Sequence, residues 1–568
     1  MKMTRRWLMK CLAGMAPAIW SSRALGASWK RELFGGGSDS FAPSGGATDF
    51  PKRSLAPGPF QPTWDSLKQY QTPDWFRDAK FGIWAHWSAQ CVPEQGDWYA
   101  RQMYIQGTPQ NKFHVEHYGP PSQFGFKDID HIWKAENWDP DALMQLYVKA
   151  GARYFVSLAN HHDNFDCYDS KFHDWNSVRI GPKKDIVGIW AKTARKHGLR
   201  FGVTNHSGHA WHWFQTAYGY DPEGALAGVP YDGFLKREDG KGKWWEGLDP
   251  QELYTGPNMV MPKGLTAIKA AQDWHEGHDR VWTEDPPANN QAFVEKWFLR
   301  CQNLLDQYQP DLLYFDNLEL PLGQAGLDIA AHFYNSNIKN HAGRLEAVLN
   351  SKGLAPDRVG TMVLDIERGR ANKILPAPWQ TDTCIGDWHY RRSLYEKHEY
   401  KSGETVIKML MDIVSKNGNL LLNIPVRGDG TIDDDERKVL AELATWMPDN
   451  QEAIFGTRPF VVFGEGPPDL ASTGNFNEEK ARPYTAEDIR FTTKGETLYA
   501  TALGWPASGK ITITTLAKGS ACYPKEIGRV ELLGTKGALP FTRDGKGLTV
   551  TMPEKKPNEF AYALRITP

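Results

Sequence analysis

The chain has little cysteine for its length: six in 568 residues, at 11, 91, 167, 301, 384 and 522, with no CxxC spacing. That argues against a disulfide framework or a cysteine zinc site and leaves the thiols as buried apolar side chains. There is no excess of either charge, with 66 Lys and Arg against 68 Asp and Glu for a net charge of -2. Such a balance offers no basic stripe for phosphate backbones, so nucleic acid is not expected as a partner. Past the N-terminus no run approaches the ~20 apolar residues of a membrane helix, so the mature protein is not expected to insert into a membrane. No G-x-S-x-G elbow is present, so the His–Asp pairs do not read as parts of a serine-hydrolase triad. What the chain has in abundance is aromatic surface: 23 Trp, 21 Tyr and 26 Phe. Aromatic faces stack on the apolar C–H faces of sugars, and indole also donates an N–H. A large aromatic core would account for the same composition.

Thr4-Arg5-Arg6-Trp7-Leu8-Met9-Lys10 is a twin-arginine start, followed by a modest apolar stretch from Cys11 to Trp20 and a small-residue exit at Ala24-Leu25-Gly26-Ala27. The pattern predicts a Tat-type export signal over 1–27, with an ordinary Sec signal as the other reading. Either way the mature chain starts near Ser28 and is periplasmic or secreted. Its five remaining cysteines are an odd number, which again speaks against a disulfide framework.

Residues 28–60, rich in Gly, Pro and Ser, predict a mobile linker. From about Thr63 strands and helices alternate. Apolar runs predict strands at 81–87, 153–159 and 311–316, and the alternation places further strands at 200–204, 361–366, 380–385 and 419–424. Helices are predicted at 185–196 and 292–308, and another starts at Asp139-Pro140, a capping acid followed by a first-turn proline. This alternation predicts an α/β fold, a (β/α)8-like barrel with enlarged loops over 61–456. Residues 215–290, with much Gly, Pro, Asp and Trp and no clear period, predict an insertion over its mouth. Beyond Thr457-Arg458-Pro459, short alternating strands at 497–502, 510–515, 529–533, 548–552 and 561–566 predict a C-terminal antiparallel β-sandwich over 457–568.

Side chains just past the strand C-termini line one mouth of such a barrel, where its chemistry sits. Phe81–Ala85 runs into His86-Trp87, Tyr154–Ala159 into Asn160-His161-His162-Asp163, and Leu312–Phe315 into Asp316-Asn317. A carboxylate, three histidines and several indoles converging there suit a small polyhydroxylated ring. Asp316 reads either as a helix N-cap or as a mouth carboxylate, and Asn317-Leu318-Glu319-Leu320-Pro321 does not start a clean helix. His161 and His162 point to opposite faces if extended, so gripping hydroxyls suits them better than sharing a metal. His206-Ser207-Gly208-His209-Ala210-Trp211-His212 would share one helix face, but Gly208 and the preceding strand favour a loop and no acidic ligand lies inside the motif. No metal is expected there. A glycosidase also needs a second carboxyl to protonate the leaving oxygen, and Asp365, Glu367, Asp382 and Asp387 are the candidates.

Taken together these segments resemble glycoside hydrolase family 29, the retaining α-L-fucosidases. Trp75–Trp87 is similar to that family's opening W-W-R-D-A-K-F-G-I-F-x-H-W, and Gly96–Tyr104 to its E-W-Y-x-R-x-M-Y. Asn160–Phe165 matches K-H-H-D-G-F, Asn417–Ile424 matches G-G-N-L-L-L-N-I, and Gln451–Pro459 matches G-E-A-I-Y-x-T-R-P. The resemblance implies Asp316 as nucleophile and a fucose site built from His86, Asp97, Trp98, His161 and His162, with His206 and Tyr314 beside it. It implies no metal or organic cofactor and a fucosylated glycan as substrate. Three departures matter: Asp97 stands for the usual Glu, Tyr314 for a Trp before the nucleophile, and Gln380 for a Glu that often serves as acid/base. An amide has no titratable proton near neutral pH, so the acid/base role moves to Glu367. Two alternatives are a carbohydrate-binding homologue that has lost its acid/base, and a retaining glycosidase for a related or modified sugar. A metal-dependent hydrolase built on the His206–His212 cluster is a third.

Overall fold

The computed structural model describes residues 53–280, 282–468, 473–478 and 482–568. The expected export signal and most of the expected linker fall outside the described residues. The last part of that linker does not, and it is no mobile segment. Arg53 pairs with Glu295 at 2.5 Å and Asp328 at 2.7 Å, and the Phe60 amide donates to Asn335 Oδ1 at 3.0 Å. Pro57-Gly58-Pro59 reads as flexible by composition, yet the prolines stiffen it and Gly58 lies where a Cβ would overlap the Asn335 side chain.

Eight parallel strands close in sequence order into a barrel: β1 (Phe81–Ala85), β2 (Tyr154–Asn160), β3 (Arg200–Asn205), β4 (Leu312–Phe315), β5 (Val348–Ser351), β6 (Val363–Asp365), β7 (Trp379–Cys384) and β8 (Gly418–Asn423). Strands covered on both faces favour continuous apolar runs, which mark β1, β2 and β4, and seven of the eight strands match ranges expected from the sequence. The eighth, β5, is Val-Leu-Asn-Ser, half polar and only four residues long. Helices on the outside begin at side-chain caps. Asp139 accepts the Ala142 amide at 3.0 Å with Pro140 in the first turn, Asp185 accepts Gly188 at 2.9 Å, and Asn290 accepts Phe293 at 3.1 Å.

The 215–290 insertion has no period because buried polar anchors hold it in place of an amphipathic stripe. Asp232 accepts the hydroxyls of Tyr104 and Tyr254 at 2.7 and 2.6 Å. The helix Ile268–Gly277 is fixed by Asp279, which pairs with the buried Arg101 at 2.5 Å and with His275 at 2.6 Å. Removing one member of such a buried pair typically costs about 3–5 kcal/mol, because the other charge is left without a partner.

The C-terminal part forms two antiparallel sheets around their own core of Phe491, Leu498, Ile511, Val530, Val550 and Leu564. One sheet has the order β13-β16-β11-β10-β9 (Arg529–Leu532, Tyr562–Thr567, Thr497–Ala502, Ile489–Lys494, Arg458–Glu465). The other has β12-β15-β14 (Lys510–Ile513, Gly547–Thr551, Phe541–Asp544). Arg490 on β10 reaches into the barrel layer and donates to Asp412 at 2.6 Å, beside the Lys416–Asp412 pair at 2.6 Å. Cys91, Cys167, Cys301 and Cys384 are buried free thiols, and Cys522 is half-buried.

Candidate active site

Asp316 stands one residue past the end of β4, at the C-terminal mouth of the barrel, and is buried. Its carboxylate is approached from three strands. His162, just after β2, and His206, just after β3, place Nε2 and Nδ1 each 3.1 Å from Asp316 Oδ2. Lys352, the residue after β5, ion-pairs with Oδ1. Burial alone would raise the proton affinity of Asp316. The Lys352 ammonium, the His206 ring and the two imidazole contacts outweigh it and hold the carboxyl well below its usual range.

Lys352 also lies 2.5 Å from Glu367 Oε2, on the turn that follows β6. One ammonium touching both carboxylates holds them close together, as a double displacement requires. Here the balance runs the other way. Burial raises Glu367, Lys352 opposes it, and the like charges of Asp382 and Asp316 add to it, leaving the group pushed up to about 7. Two carboxyls whose environments drive their proton affinities apart are the signature of a nucleophile and an acid/base.

Four histidines line the pocket above them. His161 and His162 leave β2 in a turn and not in an extended strand, so both rings face the site, with centroids 4.4 Å apart. His162 Nδ1 donates to the His206 carbonyl at 2.7 Å, and Gln90 lies 2.9 Å from His161 Nδ1. His86 is 2% exposed, yet neither ring nitrogen has a partner. Buried polar atoms are almost always satisfied, so a ring left without partners is free to bond a ligand. Burial holds His86 and His161 well below the usual histidine range and brings His206 to about 4 despite Asp316. At neutral pH those three rings are neutral, each offering one donor and one acceptor. Trp98 stands edge-on to His162 and Trp213, at 6.5 and 5.7 Å between centroids, with a left-handed backbone at φ 62°.

Other residues singled out in the sequence are set elsewhere. The Tyr314 hydroxyl donates to Asp382 at 3.0 Å, inside the barrel. Asp97 accepts the amides of Trp388 and His389 at 3.2 and 2.7 Å; its carboxylate shapes that turn. Gln380 lies inside the barrel, accepting from Tyr154 at 3.0 Å and donating to Asp365 at 2.8 Å. Asp365 and Asp382 are hydrogen-bonded to each other in the same buried layer. Asp387 pairs with Arg391 at 3.0 Å. Of the four acid candidates only Glu367 touches a group that also touches Asp316. His209 and His212 bond to each other at 3.2 Å and to the carbonyls of Asp316 and Asp279, while His206 faces Asp316, so the 206–212 histidines do not converge.

Sequence reasoning missed Lys352, because β5 was not recognised and the lysine follows it. It also missed Glu284 and Trp282, which come from the aperiodic insertion. The Trp282 ring lies 3.9 Å from His209 and 5.4 Å from His162. Glu284 accepts the Leu318 amide at 2.9 Å and the Asn317 side-chain amide, and burial pushes it up to about 8. His389, 4.6 and 4.8 Å from His86 and His161 between centroids, was not anticipated either.

Comparison with known proteins gives a consistent picture. The sequence model of "Alpha-L-fucosidase" matches residues 50–452, and that of "Alpha-L-fucosidase C-terminal domain" matches 482–567. Tissue alpha-L-fucosidase of Mus musculus is 26% identical over 539 residues, covering 90% of this chain and 96% of that protein. Among solved structures, Thermotoga maritima alpha-fucosidase in complex with a mechanism-based inhibitor superposes with a TM-score of 0.65 at 26% identity, covering 90% of this chain and all of that one. The same enzyme in complex with fucose gives 0.64 at 26% identity and 89% of this chain.

Proposed function

The chain belongs to the α-L-fucosidase family, glycoside hydrolase family 29, and on that premise we propose that it removes terminal α-L-fucose from glycans with Asp316 as nucleophile and Glu367 as acid/base. The observation that carries the assignment of roles is Lys352, whose single ammonium contacts both carboxyls while their surroundings hold one ionised and the other close to half-protonated at neutral pH.

The chemistry follows from the geometry. The neutral rings of His86, His161 and His206, together with His162, take the ring hydroxyls, and Trp98 and neighbouring indoles meet the apolar C5-methyl side. Asp316 attacks the anomeric carbon as Glu367 passes its proton to the leaving oxygen, and the glycosidic bond breaks. The product is a β-fucosyl ester of Asp316. Glu367, now a carboxylate, takes a proton from water; the hydroxyl adds to the anomeric carbon and Asp316 leaves. Two inversions return the α configuration. Both steps use groups already present at the mouth. The arginine pair at 5 and 6, the apolar stretch after it and the small-residue exit support export to the periplasm or beyond, which N-terminal sequencing of the exported protein would check.

The test is hydrolysis of an aryl α-L-fucoside with azide present. Asp316→Ala should lose turnover and, with azide as a substitute nucleophile, give the β-azide from a single inversion. Glu367→Ala should accumulate the ester and release it as the α-azide. The opposite pairing of variants and products would reverse the two roles. A wild type that binds fucose but turns over no fucoside would leave a binding protein.

A further inference from the structure

The turn that carries Glu367 is held on two sides, and only one of them is barrel. On the barrel side the amides of Ile366 and Arg368 donate to the carbonyls of Gln380 and Asp382 on β7, at 2.9 and 2.8 Å. On the other side residues 473–478, from the connection between β9 and β10 of the sandwich, close against it. The Phe476 amide donates to the Glu367 carbonyl at 2.8 Å and the Glu478 amide to the Arg368 carbonyl at 3.1 Å. In the reverse sense the amides of Glu367 and Arg370 donate to the side-chain oxygens of Asn475 and Asn477, each at 3.0 Å. The Glu478 carboxylate accepts from Arg368 and Lys401 at 3.0 Å each and from Thr383 at 2.7 Å. The two backbones lie close at Gly369, where a Cβ would overlap the Gly474 carbonyl.

Two further observations separate this seam from ordinary packing between domains. Arg368 and Phe476, on its two sides, both have left-handed backbones, at φ 43° and 53°. Such a conformation costs a non-glycine residue about 1–3 kcal/mol and concentrates where function over-determines the chain. The Phe476 side chain is 50% exposed although its own amide is bonded to the residue that carries the acid/base. A seam serving stability alone would bury that ring.

We propose that residues 473–478 of the sandwich form the leaving-group side of the active site, with Asn475 and Glu478 fixing the direction in which Glu367 presents its proton and Phe476 offering an aromatic face to the sugar that carries the fucose. The ligand is a pyranose with an apolar C–H face, the surface that aromatic side chains select. Asn475 and Glu478 are positioning residues, acting through the turn and not on the substrate. The proposal rests on Glu367 being the acid/base.

Leaving groups of graded ability test it. From fucosyl fluoride the fluoride ion leaves with little protonation, whereas cleavage of a fucosyl-hexose disaccharide depends on the acid. Asn475→Ala and Glu478→Gln should lose about tenfold more kcat/KM on the disaccharide than on the fluoride, since misplacing a catalytic group by about 1 Å costs up to a hundredfold. Phe476→Ala should raise KM for the disaccharide about fivefold while inhibition by free fucose keeps its Ki. Thermal unfolding of each variant reports its folding, and Asn475→Ala carries the test should Glu478→Gln not fold. Glu367→Ala is the reference. If it loses fluoride and disaccharide turnover alike, the acid/base assignment falls and this proposal with it. If Glu367→Ala discriminates between the two substrates while the seam variants lose rate equally on both, or not at all, the seam is structural and the proposal alone is overturned.

Discussion

Replacing Lys352 with methionine keeps the length of the side chain and removes the charge that both carboxyls share. The ammonium touches Asp316 and Glu367 with all three side chains nearly excluded from solvent. At a charge separation of about 4 Å and an effective dielectric near 20, one unit charge contributes about 4 kcal/mol. At about 1.4 kcal/mol per pKa unit this is roughly three units, and water entering the vacated space reduces it to about one to two. The sign is the same for both groups. A cation favours the ionised form, so its loss makes Asp316 and Glu367 hold their protons to higher pH. The free enzyme reports both ionisations in the pH profile of kcat/KM. In the wild type the rate should fall as Glu367 deprotonates, on a basic limb centred near pH 7. In Lys352→Met that limb should move up by about one to two units, and the acid limb should move up with it. Fucose affinity, measured by calorimetry, would show that the pocket is intact. A basic limb that stays in place, or moves down, would refute the claim that this lysine sets the protonation of the pair.

Three other perturbations have definite outcomes. Glu284→Gln should keep most aryl-fucoside turnover, because both Glu284 oxygens already accept hydrogen bonds from Asn317 and Leu318; a loss matching that of Glu367→Gln would transfer the acid/base role to the insertion. Asp365 is buried beside Asp382 and its proton affinity is raised, by burial first and then by Asp382, so the folded chain holds a proton that the unfolded chain releases. That contribution is complete at acid pH and is lost as pH rises from the unfolded value of about 4, at about 1.4 kcal/mol per unit. Asp365→Asn should therefore become more stable relative to wild type between pH 5 and 8 in thermal melts, and parallel melts would contradict the shared proton. Arg300 donates to both Asp166 oxygens, at 3.0 and 2.6 Å, and to Asn164 at 2.6 Å, bracing the loop that follows His161 and His162. Arg300→Met should cost about 3–5 kcal/mol in urea unfolding, the penalty of a buried carboxylate left alone; a change under about 1 kcal/mol would show that water reaches Asp166.

Much of this architecture is legible in the sequence, and for a physical reason. Barrel strands buried on both faces write continuous apolar runs, and the residue that follows each run is placed at the mouth by the fold itself. Asp316, His86 and His161 were legible in that way, and His206 only through the family resemblance. Lys352 obeys the same rule but was invisible, because Val348–Ser351 is short and half polar and its apolar run never registers. Tyr314 shows the limit of the rule from the other side. It is the third residue of β4, so strand alternation turns its ring inward to Asp382 while Asp316, two residues on, has already left the strand.

The position of the acid/base illustrates what local reasoning can and cannot carry. Gln380 cannot donate a proton, which sent the role elsewhere, and the structure supplies a separate geometric reason. The second residue of β7 points into the barrel, where it bonds Tyr154 and Asp365, so a glutamate in its place would meet Asp365 before it met a substrate. Glu367 is two residues beyond β6, outside the sheet, where no alternation fixes its direction. A side chain so placed needs its orientation from somewhere else. Lys352 supplies the charge, and from more than a hundred residues away Asn475 accepts the Glu367 amide while the Glu478 amide donates to the Arg368 carbonyl. No spacing pattern near 367 encodes those partners, because they belong to a different domain. The sequence therefore only nominates Glu367 among four acids, and its partners from the sandwich are visible only in the folded chain.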